Sequence, residues 1–212
     1  MEELRERIEA DILRRVNIHF GKDFALLEKL DETENLKFGH ISRVVYKARD
    51  CDGKIVTLKI TDVGSGRKQR YLKFLNTAMN ELHSLDLVSE NTTIPASKVL
   101  KVVIDDKYIF QVMEFVEGTP LSSVYDTLDK TTLSVIEEQL REYISQLRKI
   151  GGDGKALIHG FLGTDSILVD GDKVTALIDW EISKVDDEGE ELRIVSKNNW
   201  DKHKEFIVNL LR

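Results

Sequence analysis

The sequence predicts an α+β protein built as two lobes, the first rich in strands and the second helical. Three observations carry that reading. Short runs of Val, Ile, Leu and Tyr recur up to Phe115. A helical apolar stripe dominates from about Thr131 to Ile150. Between them, Glu117-Gly118-Thr119-Pro120 forms a short link of turn-forming residues.

From the N-terminus, Leu4, Ile8, Ile12, Leu13 and Val16 recur at helical spacing, which predicts an amphipathic helix over residues 2–16. Its charges alternate in sign, so a packed surface helix suits it better than a membrane-surface one. From about Phe24 the period changes, and Ala25–Leu30, Arg43–Ala48 and Ile55–Ile60 read as strands. Asp50-Cys51-Asp52-Gly53 reads as the turn between the last two. A helix over about Arg67–Leu85 follows, then strands Ser97–Ile104 and Tyr108–Phe115 joined by Asp105-Asp106-Lys107. In the second half, Leu133, Ile136, Leu140, Tyr143, Ile144, Leu147 and Ile150 form one stripe. The predicted cap is Thr131 or Thr132, and Gly151-Gly152-Asp153-Gly154 ends the helix. Ser166–Val169 and Val174–Ile178 read as strands turned by Asp170-Gly171-Asp172-Lys173. The tail Asn198–Arg212 reads as a final helix, and the acidic run Asp186–Glu191 as a solvated loop.

Composition narrows the function classes. The net charge is −7, from 31 basic and 38 acidic residues, which argues against a nucleic-acid binder working through a broad basic surface. The one cysteine, Cys51, excludes an intramolecular disulfide and a cysteine metal cluster, and it reads as a solvated turn residue. Met1–Val16 is charged throughout, unlike a secretory signal. No apolar run approaches the ~20 residues of a membrane span. A reducing compartment, cytoplasmic or nuclear, is therefore the expectation, with the cytoplasm preferred.

The most specific stretch is His159-Gly160-Phe161-Leu162-Gly163-Thr164-Asp165-Ser166-Ile167-Leu168-Val169, followed by Ala176-Leu177-Ile178-Asp179-Trp180-Glu181. It resembles the aminoglycoside-phosphotransferase and choline-kinase branch of the protein-kinase-like superfamily. The pattern there is H-G-D-x-x-x-x-N, two apolar residues, a hairpin, then I-D-W/F-E. The resemblance spans roughly residues 25–182 and extends upstream. Val56-Thr57-Leu58-Lys59-Ile60 is similar to the strand bearing the phosphate-binding lysine, and Glu81 to the helix glutamate that pairs with it. Met113–Leu121 resembles the interlobe hinge, where backbone groups around Glu114 and Val116 would bond an adenine edge. Gly39, in Phe38-Gly39-His40, sits where a phosphate-covering loop belongs.

The resemblance implies a two-lobed, protein-kinase-like α+β fold. A helix over 1–20 would precede an antiparallel-sheet N-lobe over 21–117 and a truncated helical C-lobe over 118–212. Phosphoryl transfer needs positioning and charge neutralisation more than covalent help. Lys59 and Glu81 would serve the phosphates of ATP, and Asp179 would hold Mg²⁺, which prefers hard oxygen ligands. Two parts of the pattern are replaced. Phe161 stands where the catalytic Asp belongs, and Ser166 where the second metal ligand, an Asn, belongs. General-base help is typically worth ~10²–10⁴ in rate. Phe161 is expected to pack as an apolar residue near Leu162, Ile167 and Leu177, and Asp165 to point away from the base's place.

Each residue also has a plain structural reading. Lys59 suits a solvated strand lysine, Glu81 an ordinary helix charge, Asp179 a turn or cap, and His159 and Trp180 the core. Together the residues predict a pseudokinase, a binding or scaffolding protein with an unidentified protein partner and weak nucleotide binding. The rival readings are an ATP-dependent small-molecule phosphotransferase with a relocated base, and a kinase fold put to another nucleotide chemistry.

Overall fold

The computed structural model describes residues 2–35, 40–63, 68–197 and 201–212. The chain is α+β and divides into two compact units. One is Met1–Ala78 with Val99–Phe115, the other Met79–Lys98 with Val116–Arg212.

In the first unit, helix α1 (Glu2–Phe20) precedes strands β1 (Ala25–Asn35), β2 (His40–Arg49) and β3 (Ile55–Asp62). Helix α2 (Lys68–Asn91), whose residues up to Ala78 belong to this unit and the rest to the second, β4 (Val99–Ile104) and β5 (Tyr108–Glu114) follow. The five strands form one antiparallel sheet in the order β1-β2-β3-β5-β4. Alternation decides which side is apolar. Val44, Tyr46 and Ala48, then Val56, Leu58 and Ile60, then Tyr108, Phe110 and Val112 form one buried cluster with Ile12 and Val16 of α1. α1 runs one turn beyond its predicted end at Val16, because Phe20 joins this cluster. Gly21 then stops the helix at φ +89°, its N–H donating to Asn17 O. α2 also outruns its predicted end at Leu85. Phe74, Leu75 and Ala78 pack with Val63, Val102 and Ile109, while Leu85 and Val88 are buried farther along.

The hairpin between β4 and β5 is tied to α1 by charge. Asp11 accepts from Lys107 Nζ at 2.6 Å, and Arg15 donates to Asp105 at 2.7 Å and Asp106 at 2.6 Å. Asp105 Oδ1 also accepts the N–H groups of Lys107 and Tyr108 at 2.8 and 2.7 Å, which shapes the turn.

The second unit contains β6 (Thr119–Pro120), α3 (Leu121–Val124), α4 (Lys130–Ile150), β7 (Lys155–Ile158), β8 (Ile167–Asp170) and β9 (Lys173–Leu177). It closes with β10 (Lys184–Asp187), α5 (Glu190–Lys197) and α6 (Lys204–Leu211). α4 buries Ile136, Leu140, Ile144 and Leu147, as its stripe predicts. Its cap is Asp129, which accepts from Thr132 N at 2.9 Å, and not Thr131 or Thr132. The β8–β9 hairpin forms as predicted, with β6 beside β8. β7 and β10 pair into a second small sheet that the sequence reading lacked. The solvated loop expected over Asp186–Glu191 is instead the end of β10 and the start of α5. Of the predicted tail helix Asn198–Arg212, residues 198–200 lie outside the described residues and α6 covers Lys204–Leu211. Arg141 and Arg148 of α4 donate to the carbonyls of Asn209, Leu210 and Leu211, satisfying the end of α6. Among the described residues no helix is long and apolar enough to cross a membrane.

Candidate functional site

The loop from His159 to Ser166 joins β7 to β8, and most of its backbone N–H groups have a named partner. His159 is fully buried against Trp180, their ring centroids 4.5 Å apart. Its Nε2 donates to Ile178 O at 2.9 Å and its Nδ1 accepts from Phe161 N at 3.3 Å. Those two bonds require the neutral ring. Burial pushes its pKa down to match, against the opposing pull of Glu191 and Asp179. His159 is thus a core residue that shapes the loop. Trp180 is core too, donating from Nε1 to Leu177 O.

Two buried carboxylates from the C-terminal segment fix the rest of the loop. Glu191 of α5 accepts from Gly160 N at 2.9 and 3.1 Å and from Leu162 N at 3.4 Å. Asp201 grips Thr164 through both oxygens, each at 2.8 Å, one from the backbone N–H and one from the hydroxyl. The sequence reading missed both residues and placed Glu191 in solvent. The usable signal was spacing, since Glu191 and Val195 are the buried i, i+4 pair of α5.

With this backbone fixed, the motif's two replaced positions fall as follows. Phe161 is 36% exposed, so its ring is covered only in part and is not buried as expected. The reason is local. Gly160 holds φ +79°, a conformation that favours glycine, and the next inward position is filled by Leu162, which is buried. Ser166 is buried. Its hydroxyl accepts from Gly163 N at 3.1 Å and donates to Gly163 O at 2.9 Å or Phe161 O at 3.2 Å. Asp165 accepts a hydrogen bond from Ser122 of α3, so it is directed at that neighbour.

A second cluster lies just past β9. Ile178 N donates to Ser166 O at 2.9 Å, which links this strand end to the loop. Asp179 then adopts a left-handed conformation, φ +68° and ψ +53°, uncommon for a residue other than glycine but tolerated by Asp. The following turn is clamped to α2. Asn80 donates through Nδ2 to the carbonyls of Glu181 at 3.0 Å and Ser183 at 2.7 Å, and the buried hydroxyls of Ser84 and Ser183 lie 2.6 Å apart. This clamp sets buried Glu81, on α2, beside Asp179 and Glu181, with a carboxylate oxygen from each lying within 4.8 Å of the others. Three hard oxygen donors at that spacing fit Mg²⁺, Mn²⁺ or Ca²⁺ rather than a soft metal. Sequence reading named Glu81 and Asp179; Glu181 was visible only as the last letter of the motif.

Lys59 belongs to the first unit. It sits on β3 with Val45 and Gln111 as its cross-strand partners, and both Lys59 and Gln111 are buried. It is therefore not the solvated lysine of the plain reading. Glu114 ends β5 opposite Val56 and is exposed, and Val116, partly buried, begins the next segment of the second unit. Gly39 lies outside the described residues. Neither a protein-family model nor a curated protein sequence matches the chain.

Proposed function

We propose that this chain is a pseudokinase of the aminoglycoside-phosphotransferase type, a two-lobed kinase-like protein that binds without transferring phosphate. One observation carries the reading. On the loop between β7 and β8 no side chain is placed as a general base. Phe161 has no proton-accepting group, Asp165 is bonded to Ser122, and the Ser166 hydroxyl is engaged by its own loop. The carboxylates Glu81, Asp179 and Glu181 would hold a divalent cation, whose charge would offset the phosphates of a bound ATP. Lys59 and the backbone at Glu114 and Val116 are the remaining nucleotide contacts that the resemblance supplies.

The cation cluster also favours a second reading, a small-molecule phosphotransferase in which Glu181 takes over the base's work. Two assays separate them. ATP with Mg²⁺ or Mn²⁺ should raise the melting temperature, and a ligand present at 100 times its Kd stabilises by about 2.7 kcal/mol. No γ-phosphate should reach small alcohols, aminoglycosides or choline. Turnover that vanishes in both Asp179→Ala and Glu181→Gln would replace the pseudokinase reading with the second.

A further inference from the structure

The C-terminal ends of α2 and α4 meet at a surface cavity of about 550 Å³. Glu90, Asn91 and Thr93 line one side and Gln146, Lys149 and Ile150 the other, all within the second unit. The volume falls within the ~300–1,000 Å³ of small-molecule sites. The two sides are fixed to each other. Thr93 N donates to Gln146 Oε1 at 2.7 Å, and Gln146 Nε2 donates to Thr93 Oγ1 at 2.9 Å and to Glu142 Oε1 at 3.1 Å. The chain leaving α2 is held as well, since Thr92 Oγ1 donates to Val88 O at 2.7 Å and accepts from Ile94 N at 3.2 Å. A ligand entering such a cavity has little chain to order.

The two charges on its lining are opposite in sign and unspent. Among the described residues, neither the Glu90 nor the Lys149 side chain has a hydrogen bond or ion pair. Their placement also departs from helix electrostatics. A helix C-terminus carries partial negative charge and favours a cation. α4 follows that rule, with Arg148 and Lys149 in its last turn. α2 has no basic residue in its last turn and carries Glu90 there instead. The Glu90 carboxylate therefore adds to the negative end of α2, and that side of the cavity draws a cation. Arg148 is engaged by Glu188 at 2.9 Å, which leaves Lys149 to draw an anion on the other side.

We propose that this cavity binds a small zwitterion, a free amino acid or a dipeptide, with its ammonium group on Glu90 and its carboxylate on Lys149. A simple cation or anion would meet a like charge on one side, whereas a molecule carrying both signs matches both sides. Asn91 and Thr93 add polar contacts and Ile150 an apolar one. The site lies about 13 Å along α2 from Glu81, at ~1.5 Å per residue. It is thus separate from the carboxylate cluster and does not rest on the pseudokinase reading.

Isothermal titration calorimetry of the full chain against the free amino acids and a set of dipeptides is the test. At least one should bind. Its N-acetyl and C-terminal amide derivatives, each lacking one of the two charges, should bind about tenfold or more weakly. Glu90→Gln and Lys149→Gln should each weaken the unmodified zwitterion to a similar degree, with melting curves to confirm that both variants are folded. The response of the chain to ATP with Mg²⁺ should be the same in both variants as in the parent. Failure of every amino acid and dipeptide to bind, binding that survives both N-acetylation and amidation, or affinities unmoved in both variants would each overturn the proposal. A response to ATP altered by Glu90→Gln would overturn the assignment of a separate site.

Discussion

Replacing Glu191 with Ala should loosen the whole His159–Ser166 loop, and the structure sets the scale. The side chain is 6% exposed and accepts two N–H groups, Gly160 at 2.9 Å and Leu162 at the weaker 3.4 Å. A hydrogen bond to a charged group contributes roughly 1.5–3 kcal/mol, and a buried donor left without a partner bears its full desolvation cost. With the longer bond counted at the low end, Glu191→Ala should cost about 3–5 kcal/mol. For a chain of this size each kcal/mol moves the melting temperature by ~2–4 °C, so a fall of roughly 6–20 °C is expected. Glu191→Gln keeps one acceptor oxygen and should lose about 1–3 kcal/mol. Urea unfolding followed by circular dichroism measures both. Amide hydrogen exchange adds a site-specific reading, since protection at Gly160 and Leu162 should drop before protection on α4 does. If Glu191→Ala stays within about 1 kcal/mol of the parent and those two amides keep their protection, the carboxylate is not what holds the loop.

Further substitutions test other parts of the structure. Gly160→Ala places a Cβ 2.6 Å from Ile182 O at φ +79°, and should destabilise by more than the ~1–2 kcal/mol of a left-handed conformation alone, read from urea unfolding. Phe161→Asp puts a carboxylate on an exposed site, so it should change stability by less than about 1 kcal/mol; a loss above 3 kcal/mol would mean the ring is packed after all. The double variant Phe161→Asp with Ser166→Asn should still transfer no phosphate. Asp105 gives a pH dependence. Burial would raise its carboxyl, but hydrogen bonds from the N–H groups of Lys107 and Tyr108 and from Arg15 hold it at about 2. Unfolded, it titrates near ~3.9. Its contribution is therefore present above pH ~4 and lost as the pH falls through 2, and after allowance for screening it amounts to roughly 1–2 kcal/mol. Asp105→Asn should remove that much at neutral pH and flatten the acid limb of the stability curve.

Local signals were the legible ones. The hairpin at Asp170–Lys173, the turn at Asp50–Gly53 and the α4 stripe are written in consecutive residues, and each formed where expected. β7 and β10 were not legible, because Lys155–Ile158 and Lys184–Asp187 are four residues each and gain strand character only by pairing with one another. The acidic run misled for a related reason. Asp186, Asp187, Glu188 and Glu190 do pair with lysines and arginines near the surface, as a solvated run should. Glu191 is turned inward by the helix that starts beside it, and its partners are backbone N–H groups, which carry no sequence signature. Asp201 likewise accepts backbone N–H groups, those of Thr164 and His203, and adds the Thr164 hydroxyl. The cation cluster needed Asn80 and Ser84 to hold the Glu181 turn, and nothing in either residue type announces that role.

On the proposed reading, these anchors also explain how an apolar ring can stand where the resembled pattern has its base. The conformation of the loop depends on His159, Glu191, Asp201 and the Ser166 hydroxyl, and each of these bonds at least one main-chain group of the loop. None of those bonds uses the side chain at 161. The backbone at this position is therefore held independently of the side chain it carries, which is 36% exposed. The bonds that hold the loop and the Asp179 turn thus form with Phe161 at this position. On the pseudokinase reading proposed here, loss of the base and retention of the Glu81, Asp179 and Glu181 carboxylates are compatible in one structure, which is the combination expected of a protein that binds a charged ligand without transforming it.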